Sequence, residues 1–146
     1  MPFKTILIPT DGSALSDKAT AAAIEFAQAS GARIVGMSVT LPYLSSPLEL
    51  DRSAGDEETF KKQALRRATA YLQRIAEQAR TAKVECETHV VESTDPSAGI
   101  VAAARRFHCD AIFMGSSWRK GLARILCGSA TRRVLAQSDK PVIVIR

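Results

Sequence analysis

The chain has 146 residues, 46% of them hydrophobic and 24% charged, which fits one globular domain with a sizeable core and excludes intrinsic disorder. The net charge is +5, but the basic residues are scattered, and no helix-turn-helix or RNA-binding signature is visible, so nucleic acid is not an expected partner. No apolar run approaches the roughly 20 residues of a membrane-spanning helix, and the apolar start Ile6-Leu7-Ile8 is too short for a signal peptide, so a cytoplasmic chain without a membrane partner is expected.

Thr5 to Ile8 is a short apolar run that Pro9 stops, and it predicts a first strand. Ser13 to Ser30 is alanine-rich and ends at Gly31, a natural helix stop. Arg33 to Val39 is rich in β-branched residues and predicts the second strand. Thr40 to Gly55 contains Pro42, Pro47 and three serines; its length suggests a cover or a partner-binding loop. Asp56 to Arg80 predicts a long helix, with Asp56-Glu57-Glu58 complementing the dipole at its start. Its apolar stripe runs Phe60, Ala64, Ala68, Tyr71, Ile75 and Ala79. Val84 to Val91 is the third strand. Asp95-Pro96 opens the third helix with a capping carboxylate and a proline at the first helical position, and Ile100, Val101, Ala104 and Phe107 face inward. Asp110 to Met114 is the fourth strand, Gly115 to Ser129 a glycine-bearing loop, and the last helix carries Val134 and Leu135. Pro141 to Ile145 is the fifth strand.

Such alternation implies βαβ units with right-handed crossovers: an α/β fold with a parallel sheet between helices, in a single domain over residues 1–146 with no internal repeat. Ligands of these sheets bind beyond the carboxyl ends of the strands, where strand order reverses. Two loops are expected there, Pro9 to Ser13 and Gly115 to Ser129.

Three cysteines, Cys86, Cys109 and Cys127, without a C-x-x-C, suggest reduced, structural thiols. His89 and His108 are separated from each other and from the cysteines, and no metal-ligand spacing emerges. Asp11 at the tip of strand one has two readings: with Ser13 it caps the first helix, or it accepts ribose hydroxyls and orients a metal ion beside phosphates. The glycine loop also has two. Gly115 ends a strand and Gly128 starts a helix, or the loop amides and Ser129 receive a phosphate, with Arg119, Lys120 and Arg124 adding positive charge. The loop is neither a Walker loop nor the G-x-G-x-x-G of a dinucleotide fold.

Taken together, several strings resemble the universal stress protein family over essentially the whole chain. They are Pro9-Thr10-Asp11-Gly12-Ser13, Asp95-Pro96, Cys109 to Ser116, Gly128-Ser129 with Arg133-Val134-Leu135, and Lys140 to Ile145. The resemblance implies a three-layer, five-stranded parallel sheet of order 3-2-1-4-5, Rossmann-like, and a homodimer joined through the last strand, Val142 to Ile145. It also implies ATP, with Mg2+ near Asp11, as the cofactor. ATP-binding members carry Gly-x2-Gly-x9-Gly followed by Ser or Thr. Gly115, Gly128 and Ser129 match, the spacing of nine from Arg119 to Cys127 is kept, and Trp118 replaces the second glycine. By the same matching, Pro9, Thr10 and Asp11 flank ribose and phosphate, and Val39 offers backbone groups to adenine. Ser117 and Trp118 belong to the phosphate loop, and Ala130 and Thr131 complete the phosphate end. Tryptophan lacks glycine's conformational freedom, so the expected consequence is weakened ATP binding.

Three functions compete at this level. The first is a homodimeric, nucleotide-binding regulator of a stress response that changes its surface for an unidentified protein partner. The second is a nucleotide-independent interaction module of the same family, which Trp118 favours. The third is slow ATP hydrolysis or nucleotidyl transfer, for which Asp11 is the only candidate base.

Overall fold

The computed structural model describes residues 3–43, 56–116 and 128–146. Strand β1 (Thr5–Pro9) is followed by α1 (Ala14–Ser30), β2 (Arg33–Thr40), α2 (Asp56–Thr81) and β3 (Cys86–Glu92). The chain then forms α3 (Pro96–Arg106), β4 (Ala111–Gly115), α4 (Ser129–Gln137) and β5 (Val142–Ile145). The five strands make one parallel sheet in the order β3-β2-β1-β4-β5, as expected. Most of loop 40–55, and Ser117, Trp118, Arg119, Lys120, Arg124 and Cys127 of the glycine loop, lie outside the described residues.

The helices form because their local signals agree with their packing. Ser13 caps α1 by accepting the Ser16 N–H at 3.1 Å, and Gly31 closes it at φ 80°, where a side chain would be strained. Asp95 caps α3 from the Ser97 N–H at 3.1 Å, with Pro96 at the first helical position.

The core lies on both sides of the sheet. Ile6, Ile8, Ile34 and Phe113 face α1 and α2, where Ala23, Ile24, Leu72 and Ile75 meet them. Leu7, Val35, Met37, Ile112 and Met114 face α3 and α4, meeting Ile100, Ala104 and Val134. Both faces of β1 and β4 are therefore buried, which explains their unbroken apolar runs.

Three expectations shift. Strand three begins at Cys86, because Val84 still belongs to the turn that closes α2 through a bond from its N–H to Ala79 O. Phe107 ends α3 half-buried and stacks on His89, with ring centroids 4.0 Å apart. Leu135 points outward at 46% exposure while Val134 is fully buried, because a nine-residue helix on one face of a sheet buries one narrow stripe.

Candidate functional site

Because β2 and β4 flank β1, the strand order reverses at β1, and the carboxyl ends of these three strands define one rim. The turn after β1 is tightly built. Thr10 is buried; its N–H reaches Met37 O at 2.9 Å, its carbonyl receives the Ser38 hydroxyl at 2.8 Å, and its own hydroxyl accepts the Gly12 N–H at 3.1 Å. Asp11 Oδ1 accepts the Ser13 N–H at 3.0 Å and the Ser16 hydroxyl at 2.7 Å. Ser13 is thus the helix cap, and Asp11 fixes the loop that leads into it.

Gly12 is required twice over. Its φ is +80°, and a Cβ placed there would stand 2.5 to 2.7 Å from Cζ and Cδ1 of Tyr71. Arg74 holds the same corner, donating to Gly12 O at 3.2 Å and to Asp17 Oδ1 at 3.0 Å beside the Tyr71 ring. Gly115, at the end of β4, has a different reason: a Cβ would meet the Cβ of Leu15 at 3.0 Å and its backbone at 3.2 Å.

Beyond the ends of β1 and β2 lies a cavity of about 280 Å3 under α2. Asp11 and the segment from Ser38 to Leu41 form one side; Phe60, Ala64, Arg67, Ala68 and Tyr71 form the other. Val39 occupies a particular position in it. In a strand, alternate residues direct their N–H and C=O to opposite neighbours. Met37 O faces β1, where it receives Thr10 N–H, and Thr40 O faces β3, where it receives Ser93 N–H. Val39 therefore faces the β1 side, two residues past the last β1–β2 pair, Pro9 with Met37. Its donor and acceptor point side by side into the space where β1 has ended. Such a pair is complementary to the donor and acceptor along the edge of a purine base.

The second part of the rim is the start of α4. Gly128 donates to Ser116 O at 2.6 Å, and the first helical bond runs from Arg132 N–H to Gly128 O. No side chain caps this helix at Gly128. The N–H groups of Ser129, Ala130 and Thr131 therefore precede the first helical bond, in the geometry that receives anions. Ser129 is exposed, Ala130 packs half-buried against the core, and Thr131 is wholly buried with its hydroxyl donating to Gly115 O at 2.9 Å. Ala130 and Thr131 can offer a phosphate only their backbone, because their side chains tie α4 to the sheet.

Of the residues expected from sequence, Pro9, Thr10, Asp11, Val39, Gly115, Gly128, Ser129, Ala130 and Thr131 all fall at the carboxyl ends of β1, β2 and β4 or at the start of α4. Ser117 and Trp118 lie outside the described residues. Spacing alone does not mark the α2 wall. The apolar stripe predicts core positions for Phe60, Ala64 and Tyr71, yet they are only partly buried and border the cavity; Ala68 is buried and borders it too, and Leu72, Ile75 and Ala79 are buried in the core. An arginine within an apolar stripe, at 67, is the signal that could have marked the change.

No group of three or more metal-ligating side chains occurs among the described residues. Burial raises the Cys109 thiol to about 12, and burial, then Glu87, raises that of Cys86. Both are thiols rather than nucleophilic thiolates at neutral pH.

These features define a doubly wound α/β fold with a cavity-bearing rim at its topological switch point. The chain matches the model of the Universal stress protein family over residues 2–146 and belongs to that family. It is 31% identical to universal stress protein MJ0531 of Methanocaldococcus jannaschii over 146 residues, spanning 99% of this chain and 82% of that one. The solved structure of hypothetical protein MJ0577 superposes with a TM-score of 0.82 at 26% identity, covering 99% and 96% of the two chains. Two other relatives share the fold at 22% identity. One is a universal stress protein in complex with cAMP (TM-score 0.69, 100% and 98% covered), the other the Archaeoglobus fulgidus protein in complex with dAMP (TM-score 0.64, 100% of both chains). No helix among the described residues is long and apolar enough to cross a membrane.

Proposed function

We propose that this chain binds an adenine nucleotide at the rim formed by β1, β2 and β4, and that it acts as a homodimeric regulator in a stress response. The observation that carries the reading is the cavity beyond β1, into which Val39 turns a donor and an acceptor and which Asp11 borders. The residues present fit the nucleotide: base against Val39, ribose beside Asp11, and phosphates toward the amino end of α4. ATP is the favoured ligand, with Mg2+ carried on its phosphates next to Asp11. The bound cAMP and dAMP of the two relatives support the adenine class. Bound nucleotide supplies the signal; the protein's residues hold and orient it.

Dimerisation is proposed through β5. Val142 to Ile145 forms one edge of the sheet, all four residues are only partly buried, and an open apolar edge calls for a cover. Val144→Glu is expected to convert a dimer to a folded monomer in light scattering, with unchanged circular dichroism.

Calorimetry with ATP and AMP at millimolar concentration tests the nucleotide reading, together with mass spectrometry of nucleotide that co-purifies. The single tryptophan, Trp118, provides a second readout, since its emission should change on ATP addition after correction for absorbance. Neither heat nor an emission change would favour a nucleotide-independent interaction module, the reading that Trp118 at a glycine position supports. If phosphate release occurs, its loss in Asp11→Ala with binding retained would assign hydrolysis to Asp11.

A further inference from the structure

We infer that Arg67 is a base-recognition residue, its planar guanidinium closing over the exposed face of a purine held against Val39. This rests on the nucleotide reading and adds to it a residue of α2. Arg67 lies between Phe60 and Tyr71 on the helix face that borders the cavity, seven residues after one and four before the other. Among the described residues that border the cavity, it is the only cationic one.

Arg74, two turns further along α2, provides the contrast. It is committed to Gly12 O, to Asp17 and to the Tyr71 ring, and it braces the loop. Arg67 makes no hydrogen bond or ion pair among the described residues, so its donors and its flat face remain to be used.

Position decides what part of the ligand it meets. Helix α2 packs on β2 and β3, whereas α4 starts beyond the end of β4 on the opposite layer. Strands lie about 4.8 Å apart, so the ends of β2 and β4 are separated by roughly 10 Å across the sheet. A nucleotide with its phosphates at α4 and its base at Val39 presents the base, not the phosphates, to Arg67. A guanidinium stacks well on an aromatic plane, and its fixed planar shape is what lysine lacks. With Phe60 and Tyr71 beside it, the wall is suited to a flat heterocycle.

The test is calorimetric titration of the full-length chain with adenosine, AMP and ATP, for wild type, Arg67→Ala and Arg67→Lys. The expected result is a similar loss of affinity for all three ligands in Arg67→Ala, about 5- to 10-fold, with no restoration in Arg67→Lys. Arg67 is exposed, so unchanged thermal unfolding should accompany it. A loss confined to AMP and ATP and restored by lysine would overturn the inference in favour of a phosphate contact. Unchanged affinities in Arg67→Ala would overturn it while leaving the nucleotide reading intact. Wild type that binds AMP and ATP but not adenosine would also overturn it. Wild type that binds none of the three would remove both readings.

Discussion

Gly12→Ala should be among the most damaging single-methyl additions at the rim, and its cost has two separable parts. The alanine must hold φ near +80°, which costs about 1–2 kcal/mol relative to glycine. Its Cβ must also share space with Cζ and Cδ1 of Tyr71, 2.5 and 2.7 Å away, and overpacking of this kind costs about 1–3 kcal/mol. The sum, about 2–5 kcal/mol, lowers Tm by roughly 6–15 °C at about 3 °C per kcal/mol for a domain of this size. A ring displaced into the cavity it borders would also reduce the space for a ligand, so nucleotide affinity should fall with stability. Urea unfolding of Gly12→Ala, Tyr71→Leu and the double variant separates the parts. In the Tyr71→Leu background the glycine substitution should cost only the backbone part, about 1–2 kcal/mol. If the two substitutions are additive within about 0.5 kcal/mol, Tyr71 does not occupy the space that Gly12 leaves open, and the reasoning fails.

Thr131→Val removes the hydroxyl that ties α4 to Gly115 O in a fully buried position, and urea unfolding should show a loss of about 1–2 kcal/mol, with Thr131→Ser retaining the bond. An unchanged midpoint in the valine variant would mean that the bond does not anchor the helix. In a Cys127→Ser background, Cys109, raised to about 12 by burial, should react with a thiol reagent at pH 8 only after unfolding, and Cys86 only slowly; rapid native labelling of Cys109 would contradict its burial. The Asp95 carboxyl is held below its usual value, first by the Ser97 hydroxyl and then by the Ala98 and Ser97 amides. Because the folded value is the lower one, its contribution to stability is present above the unfolded value of about 3.9 and is lost as pH falls through the folded one. Asp95→Asn should therefore flatten the fall in the urea midpoint below about pH 4, and an unchanged acid profile would show that the cap carries no such linkage.

The sequence determined the frame. Apolar runs at Thr5–Ile8, Arg33–Val39 and Asp110–Met114, alternating with helical stretches, have the pattern of strands buried on both faces of a parallel sheet, and Ser13, Gly31, Asp95 and Pro96 set helix ends through effects that reach a few residues. Those are local effects, so they can be read from a string. The same holds for Asp11, Gly115, Gly128 and Ser129, whose place at the rim follows from lying between a strand end and a helix start. What only the tertiary structure decided is what faces those residues across space. Phe60, Ala64, Arg67 and Tyr71 continue the stripe of Ala68, Ile75 and Ala79 without a break in spacing, and periodicity cannot tell a wall of a cavity from a wall of the core. The difference arises because β1 ends at Pro9 while α2 extends beyond it, leaving the first turns of that helix with a void beneath them. Gly12 and Thr131 show the same division. One is a turn glycine whose need is doubled by a ring 59 positions away, the other a residue the resemblance places at the phosphate end but whose hydroxyl donates to Gly115 O, and neither partner is close enough in sequence to be read from it.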